Sequence, residues 1–426
     1  MGEIRAVKGM KDLLPEQVGK WRFMEATARR VLEVHGFREI RTPVVEQTEL
    51  FVRSIGEGTD IVEKEMYSFV DKGGKHLSLR PEATAGVLRA YVEHRMYAEG
   101  GVHKLFTIGP MFRRERPQKG RLRQFHQINA EAIGDEGPVV DAEVVLAAVS
   151  LIRELGVEGS RLVINSLGCR ECRGPFRQAL VEFLQAREGQ LCADCRRRLG
   201  MNPLRVLDCK EPGCQKVVEA APGVSEYLCG ACREHYEGLK GLLGEAGVMF
   251  EEDPRLVRGL DYYHRTTFEI LAEGLGAQNA VAGGGRYDTL VAELGGPEIG
   301  GVGFAVGMER VGLLVEDRPE WTKRPVVFLA AMGAGPRRWA FRVLAGLRAR
   351  GLWVEMHPQD KGLKAQMRRA NKLGVEVVVI VGEAEMDSGQ CVVRDMTSGH
   401  QEQVALERVA ELLWERFKEQ VKWAGL

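Results

Sequence analysis

The chain carries no net charge: 60 lysines and arginines cancel 60 aspartates and glutamates. No global field draws it to polyanions, so a nucleic acid has to be met by a local patch of clustered cations. It also lacks a long hydrophobic run. The longest strongly apolar stretch, Val375 to Val381, is broken by Glu376 and far too short to span a bilayer, so it reads as a buried strand. The opening MGEIRAVKGMKDLLP holds no apolar run of signal-peptide length. Export is therefore not expected, and a cytoplasmic protein without a membrane segment is. No Ser–His–Asp or Cys–His arrangement is apparent. The triple glycine Gly283 to Gly285 has the spacing of neither a P-loop nor a dinucleotide fingerprint, and its ordinary reading is a flexible turn. There is no internal repeat and no low-complexity tract.

What is present bounds the fold. At 426 residues the chain exceeds one ordinary core, which predicts two or three domains, and its 44% apolar content is that of a folded protein. After Pro15, the residues Val18, Trp21, Met24, Ala28, Val31 and Leu32 recur at helical steps, with Gly36 as the stop. Phe37 to Thr42 reads as a strand ending at Pro43. A helix is expected from about Pro81 to Tyr97, with proline in its first turn. Lys104 to Ile108 and Gln124 to Ile133 read as neighbouring strands joined by a loop, and Arg265 to Leu271 and Val302 to Gly307 as two more, the last running into a helix at Met308. Strands gathered in runs predict an α+β fold, an antiparallel sheet flanked by helices.

Two segments differ in texture. Residues 160–240 hold eight of the nine cysteines. From Pro325 the pattern becomes alternating: strand 326–330, helix 337–350, strand 352–356, helix 361–373, strands 375–381 and 390–395, and a last helix from Val404. This is a small α/β domain. The expected division is a catalytic core in two parts (1–159 and 241–320), a Cys-rich insertion (160–240) and a terminal domain (325–426).

The densest chemistry lies in the loop RRERPQKGRLRQ, residues 113–124, with six cations (Arg113, Arg114, Arg116, Lys119, Arg121 and Arg123) against Glu115. A solvated hairpin tip would carry the same charge. The strand after it separates the two readings. Strict alternation puts Gln127, Asn129 and Glu131 on one face and Ile128, Ala130 and Ala132 on the other, and a row of amides and a carboxylate suits the floor of a polar pocket. Arg258 sits among Leu256, Val257 and Leu260, where an arginine either snorkels or serves an anion. Arg310 stands near a helix start, where a cation opposes the helix dipole and so suggests an anion to be met; an ion pair with Glu309 or Glu316 is the alternative.

Cys169/Cys172, Cys192/Cys195 and Cys229/Cys232 are CxxC pairs, and Cys209/Cys214 are separated by four residues. Each pair offers two thiolates from one turn, and two pairs make a tetrahedral site. Eight thiols can hold two Zn²⁺, one Zn²⁺ with spare thiols, or an iron–sulfur cluster; the alternative is buried apolar cysteines without metal.

Along nearly its whole length the chain resembles the histidyl-tRNA synthetases, class II aminoacyl-tRNA synthetases. GFREIRTPVVEQTELF, FRRERPQKGRLRQFHQINAEAIG and GVGFAVGMERV resemble the three class motifs, with Pro43 at a dimer-forming turn. LVRGLDYY (256–263) and AQNAVAGGGRYD (277–288) resemble the two signature segments of the histidine enzymes. RPEAT (80–84) matches the amino-acid-binding turn, with Ala83 where many members have glycine. The resemblance implies a class II antiparallel sheet with a C-terminal α/β anticodon-binding domain. It implies a cytoplasmic, homodimeric ligase that forms histidyl-adenylate from L-histidine and ATP with Mg²⁺, then charges tRNA(His). Catalysis would fall to Arg258, Arg113 and Arg310. Glu82, Ala83, Thr84, Gln127, Glu131, Tyr262 and Tyr263 would bind histidine, and Arg113, Glu115, Phe125 and Arg310 would bind ATP. Arg116, Gln118, Lys119, Arg121 and Arg123 would meet the tRNA acceptor end, and Arg368, Arg369 and Lys372 are candidates for the anticodon. Many relatives carry an insertion without metal, so zinc on the eight cysteines follows from spacing alone. Two other readings fit parts of the chain. One is a histidine-sensing regulatory subunit of the histidine-biosynthetic phosphoribosyltransferase, which needs no phosphate clamps. The other is a metal-dependent nucleic-acid or redox module.

Overall fold

The computed structural model describes residues 3–56, 59–257, 262–276 and 279–422. They fall into two compact units, Met1–Arg318 and Pro319–Leu426.

The first unit is built on an eight-stranded sheet. Its strands are β1 (Arg38–Glu39), β5 (His103–Phe112), β6 (Gln124–Ile133), β7 (Arg161–Ser166), β8 (Phe250–Glu252), β9 (His264–Leu271), β10 (Ala280–Tyr287) and β11 (Gly301–Gly307). The order is β1-β5-β6-β11-β10-β9-β7-β8, antiparallel except for parallel pairs at the two edges. A small sheet of β2 (Val45–Gln47), β3 (Tyr67–Val70) and β4 (His76–Leu79) lies apart in the order β2-β4-β3. β6 begins and ends where its alternation predicts. β5 is longer than its apolar stretch because the ladder to β6 continues from His103↔Ile133 to Phe112↔Gln124. β1 is shorter than predicted, two residues on the sheet edge. Gly283 to Gly285 form no turn; they lie inside β10, paired on both sides.

Helices Pro15–Val34 and Pro138–Glu154 pack against this sheet and each other. The helix expected from Pro81 starts at Thr84 and ends at Glu93. Its first donors explain the shift: the Glu82 carboxylate accepts from the N–H groups of Thr84 (2.7 Å) and Ala85 (2.8 Å), so residues 81–83 form the turn before the helix. The helix at Met308 is a single turn, Met308–Gly312, which leaves little dipole for Arg310 to oppose.

The cysteine-bearing segment starts after β7, later than residue 160, because β7 belongs to the main sheet through its pairing with β9. Four helices carry it: Arg170–Gln185, Ala193–Met201, Pro212–Val218 and Gly230–Glu245. The last packs on Pro138–Glu154. Beneath that contact Arg286, wholly buried, donates through Nε (3.0 Å) and Nη2 (2.5 Å) to a wholly buried Asp141, and through Nη1 to Asp288 and the Asp135 carbonyl. His235 of the insertion helix lies 3.5 Å from the same Asp141.

The second unit is a five-stranded sheet, β13-β12-β14-β15-β16, from β12 (Val327–Ala331), β13 (Val354–Met356), β14 (Val377–Val381), β15 (Gln390–Asp395) and β16 (Gln401–Ala405). β12 pairs in parallel with β13 and β14, and β15 and β16 add an antiparallel edge. The segment predicted as helix from Val404 is β16 first; the helix runs Val409–Lys422.

Removing Asp141 strands the Arg286 charge in the interior. Asp141→Ala should destabilise the protein by roughly 3–5 kcal/mol, read as a lower urea midpoint; an unchanged midpoint would show that the pair is not structural.

Candidate active site

The polar face of β6 becomes the floor of a cavity of about 290 Å³. Gln127, Asn129 and Glu131 all line it, together with Glu82, Thr84, Arg113, Glu115, Arg121, Phe125, Tyr262, Tyr263 and Arg310. The sequence thus places most of its predicted site residues in one chamber. Ala83 is buried beside it at the start of the helix. Arg116, Gln118 and Lys119 are exposed on the loop and do not line it. Arg121, predicted for the tRNA end, turns inward instead and pairs with the buried Glu115. Arg123 is occupied elsewhere: its Nε donates to the Glu115 carbonyl (3.2 Å), and its N–H to the Gly9 carbonyl (2.8 Å), which straps the N-terminal segment to the loop. Arg258 lies outside the described residues.

The chamber divides by charge. In its acidic part, Glu131 accepts from Thr84 Oγ1 (2.6 Å) and from the Tyr287 hydroxyl (2.6 Å). Burial outweighs these two donors and the nearby Glu82 adds repulsion, so the Glu131 carboxyl is raised to about 8. Burial raises Glu82 as well, against its two backbone donors and the charge of Arg113. Tyr262 packs on Tyr263 with ring centroids 4.6 Å apart and meets Tyr287 edge-on at 5.9 Å. Gln127 Oε1 and Asn129 Oδ1 are buried acceptors with no partner among the described residues, which suits a ligand that brings N–H groups. The basic part gathers Arg113, Arg121 and Arg310, close enough that the other two guanidiniums help depress Arg121, though burial is the larger cause. Arg113 stacks 5.3 Å from the Phe125 ring and donates through Nε to the Pro81 carbonyl, and Arg310 donates to the Ala280 carbonyl. Glu309 does not pair with Arg310; its carboxylate accepts from the His126 backbone (2.9 Å) and faces that ring at 3.0 Å.

Sequence reasoning missed Tyr287, Glu269 and Glu309 as lining residues. A strand reading of the glycine segment would have found Tyr287, because period two puts it on the face of Gly283 and Gly285. Gly285 itself has no room for a side chain: a Cβ there would sit 2.8 Å from the Tyr263 ring and 2.5 Å from the Thr266 carbonyl.

The eight cysteines form two quartets. Cys169, Cys172, Cys229 and Cys232 bring their sulfurs within 4.8 Å of one another, and so do Cys192, Cys195, Cys209 and Cys214. Cys169 Sγ lies 3.6 Å from Cys172 and 4.0 Å from Cys229, and Cys192 Sγ lies 4.0 Å from Cys209. Ligands at about 2.3 Å around a tetrahedral Zn²⁺ stand ~3.8 Å apart, so both quartets fit one. Backbone N–H groups already point at sulfur, Cys229 to Cys172 (3.1 Å) and Cys192 to Cys214 (3.2 Å). In the first quartet the Cys232 N–H helps draw Cys229 down to about 7, while burial raises Cys172 and Cys232. Four thiols this close ionise together only when a cation shares their charge.

The family model described as histidyl-tRNA synthetase matches residues 9–311, and that of an anticodon binding domain matches residues 327–416. The chain belongs to the histidyl-tRNA synthetase family. A histidine–tRNA ligase of Trichlorobacter lovleyi is 54% identical over 404 residues, 95% of this chain and 96% of that protein. One of Geobacter sulfurreducens is 51% identical, covering 95% and 97%. The apo histidyl-tRNA synthetase structure of S. aureus superposes with a TM-score of 0.80 at 34% identity, covering 96% of this chain and 99% of that one. A Bacillus halodurans structure described as a phosphoribosyltransferase regulatory subunit/histidyl-tRNA synthetase shares the fold alone, at 20% identity and a TM-score of 0.63 over 90% and 99%. The family likeness thus spans both units of this synthetase.

The raised Glu131 has a definite pH signature. Between about pH 4.5 and about pH 8 the unfolded chain has released this proton and the folded chain keeps it, so the group lowers stability as pH rises through that window. Glu131→Gln should flatten the decline, seen in urea unfolding at the two ends; parallel pH profiles for variant and parent would refute the raised carboxyl.

Proposed function

We propose that this chain joins L-histidine to tRNA(His) in two steps inside the described chamber. The carrying observation is its split character: two buried carboxyls and two orphaned amide acceptors on one side, three guanidiniums on the other. An amino acid has that same polarity. Its ammonium suits Glu82 and Gln127, and its carboxylate is left facing the arginines. Glu131, held by Thr84 and Tyr287, and Tyr263 read the imidazole, whose two nitrogens need a defined donor and acceptor. A wrong amino acid leaves these buried groups unpaired, which gives discrimination without editing.

In the first step a carboxylate oxygen of histidine attacks the α-phosphorus of ATP. The bond to the β-phosphate bridging oxygen breaks, and pyrophosphate leaves with the electron pair. No side-chain nucleophile is required, because positioning and charge stabilisation suffice. Arg113 and Arg310 clamp phosphate oxygens with their planar forks, Arg121 joins them on the wall, and Phe125 offers a ring to the adenine side. Arg258 is assigned to the α-phosphate by family resemblance. Mg²⁺ takes oxygen ligands and would share the phosphate charge of ATP. In the second step a terminal ribose hydroxyl of tRNA attacks the carbonyl carbon and AMP leaves.

The exposed tip with Arg116, Gln118 and Lys119 suits the acceptor end, and the terminal domain suits the anticodon, with Arg368, Arg369 and Lys372 exposed on one helix. Both thiol quartets hold structural Zn²⁺. A homodimer is supported by exposed Val45, Phe69 and Val70 on the small sheet. A cytoplasmic setting is supported by the family alone, and among the described residues no helix is long and apolar enough to cross a membrane.

ATP–pyrophosphate exchange tested with each amino acid should proceed with histidine alone, and absence of exchange with histidine overturns the reading. Arg258→Ala should cut exchange by about 10²–10³-fold while histidine still binds. The double variant Arg116→Ala/Lys119→Ala should leave exchange intact yet weaken tRNA binding and reduce its salt slope by roughly one to two charges; an unaltered slope would remove the tip from the tRNA path.

A further inference from the structure

The two thiol quartets are nested, and among the described residues only the outer one is joined by backbone hydrogen bonds to the start of β9, next to Tyr262 and Tyr263. Cys169 follows directly on Leu167 and Gly168, which leave the end of β7. Here the chain makes a two-way backbone clasp with Arg265: Leu167 N–H donates to the Arg265 carbonyl (2.7 Å), and Arg265 N–H donates to the Gly168 carbonyl (2.9 Å). Arg265 has φ of 45°, one of two left-handed non-glycine residues among those described. Such a conformation is strained for a residue with a side chain and persists only where the surroundings impose it. Two residues before it stands Tyr263, which lines the chamber.

Gly168 ties this clasp to the sulfur cluster. It too is left-handed, with φ of 64°, and a Cβ on it would meet the Cys172 Cβ at 2.5 Å. The apolar packing is continuous as well: Leu167, Cys172, Leu228, Val257, Tyr262 and Tyr263 belong to one buried cluster, which also takes in Cys195, Cys209 and Cys214, so it is the backbone clasp that sets the outer quartet apart. The inner quartet makes no such backbone contact with the chamber among the described residues.

Building on the zinc reading above, the geometry points to a division of labour between two ions. The outer Zn²⁺, held by Cys169, Cys172, Cys229 and Cys232, fixes Gly168, through it the strained Arg265, and so the seat of Tyr262 and Tyr263. These cysteines are positioning residues for histidine. The inner Zn²⁺ holds the helices around it, which meet the rest of the unit through Arg198 and Asp60 (3.5 Å) rather than through the clasp at Arg265. Loss of the outer ion therefore weakens histidine binding selectively and leaves the arginine wall for ATP in place.

The test uses the full-length protein. Metal analysis should find two zinc ions per chain, and Cys229→Ser/Cys232→Ser and Cys209→Ser/Cys214→Ser should each lose one. By calorimetry the outer variant should bind histidine about tenfold more weakly or worse, with ATP affinity within about twofold, and the inner variant should bind both ligands as the parent does. Cys229→His, which keeps four ligands, should restore both the ion and histidine affinity, and this separates lost positioning from lost folding. No zinc, a single ion, or iron in the parent defeats the zinc reading. Two zinc ions with equal histidine losses in both variants, losses of histidine and ATP affinity together, or no loss at all defeat the division of labour while leaving the zinc reading standing. So does failure of Cys229→His to restore histidine affinity when its zinc returns.

Discussion

Two carboxyl groups, Glu82 and Glu131, are buried in one small chamber, and much of the surrounding architecture follows from that cost. A carboxylate out of water has to be met by donors or stay protonated. The chain meets the cost with backbone N–H groups from the start of the Thr84–Glu93 helix for Glu82 and with two hydroxyls for Glu131. These donors come from two separate parts of the sequence, residues 84–85 and Tyr287. The sheet order, which sets β6 beside β11 and β11 beside β10, brings Glu131 and Tyr287 together across 156 residues. The donors do not fully offset burial, and both carboxyls stay raised. A chamber with two buried carboxyls on one side and fixed cations on the other suits a ligand that carries its own ammonium and carboxylate.

Much of this was legible in the sequence where periodicity and site chemistry coincide. The ten residues of β6 state their faces directly, because alternation admits only one partition of Gln127, Asn129 and Glu131 from the small apolar residues. The helix Pro15–Val34 and the units of the terminal domain were likewise readable from spacing. Legibility failed where a tertiary partner decides a local state. The turn at 81–83 is set by the Glu82 carboxylate, which no helix rule anticipates. Gly283 to Gly285 would be a turn in isolation, but neighbours on both sides hold them in a strand. The inward turn of Arg121 depends on Glu115, buried by the fold of the loop rather than by its own surroundings in sequence. The edge strand β16 lacks the apolar alternation that would have announced it.

The basic loop shows how one charge run serves two ends. Its base is threaded into the chamber, where guanidiniums are half-buried and braced against Phe125, Glu115 and backbone carbonyls. Its tip remains in water with its cations exposed. Composition does not separate these groups, since both carry cations; burial separates them. The strap between Gly9 and Arg123 adds a contact from the far N-terminal segment that makes the base of the loop part of the core.

The nesting of the cysteine pairs bears on the order in which the insertion assembles. Cys192 and Cys214 of the inner quartet lie 22 residues apart, and Cys169 and Cys229 of the outer one 60 apart. Closing the shorter loop first is favoured by roughly 0.9 kcal/mol of chain entropy. Once closed, it shortens the free path between the outer pairs, so the second closure becomes cheaper than it would be alone. An interlaced pairing would forfeit this, since each closure would then have to thread the other's loop. The insertion can therefore zip from its middle outward as the ribosome delivers it, and the last pair to arrive, Cys229 and Cys232, completes the seal next to the chamber.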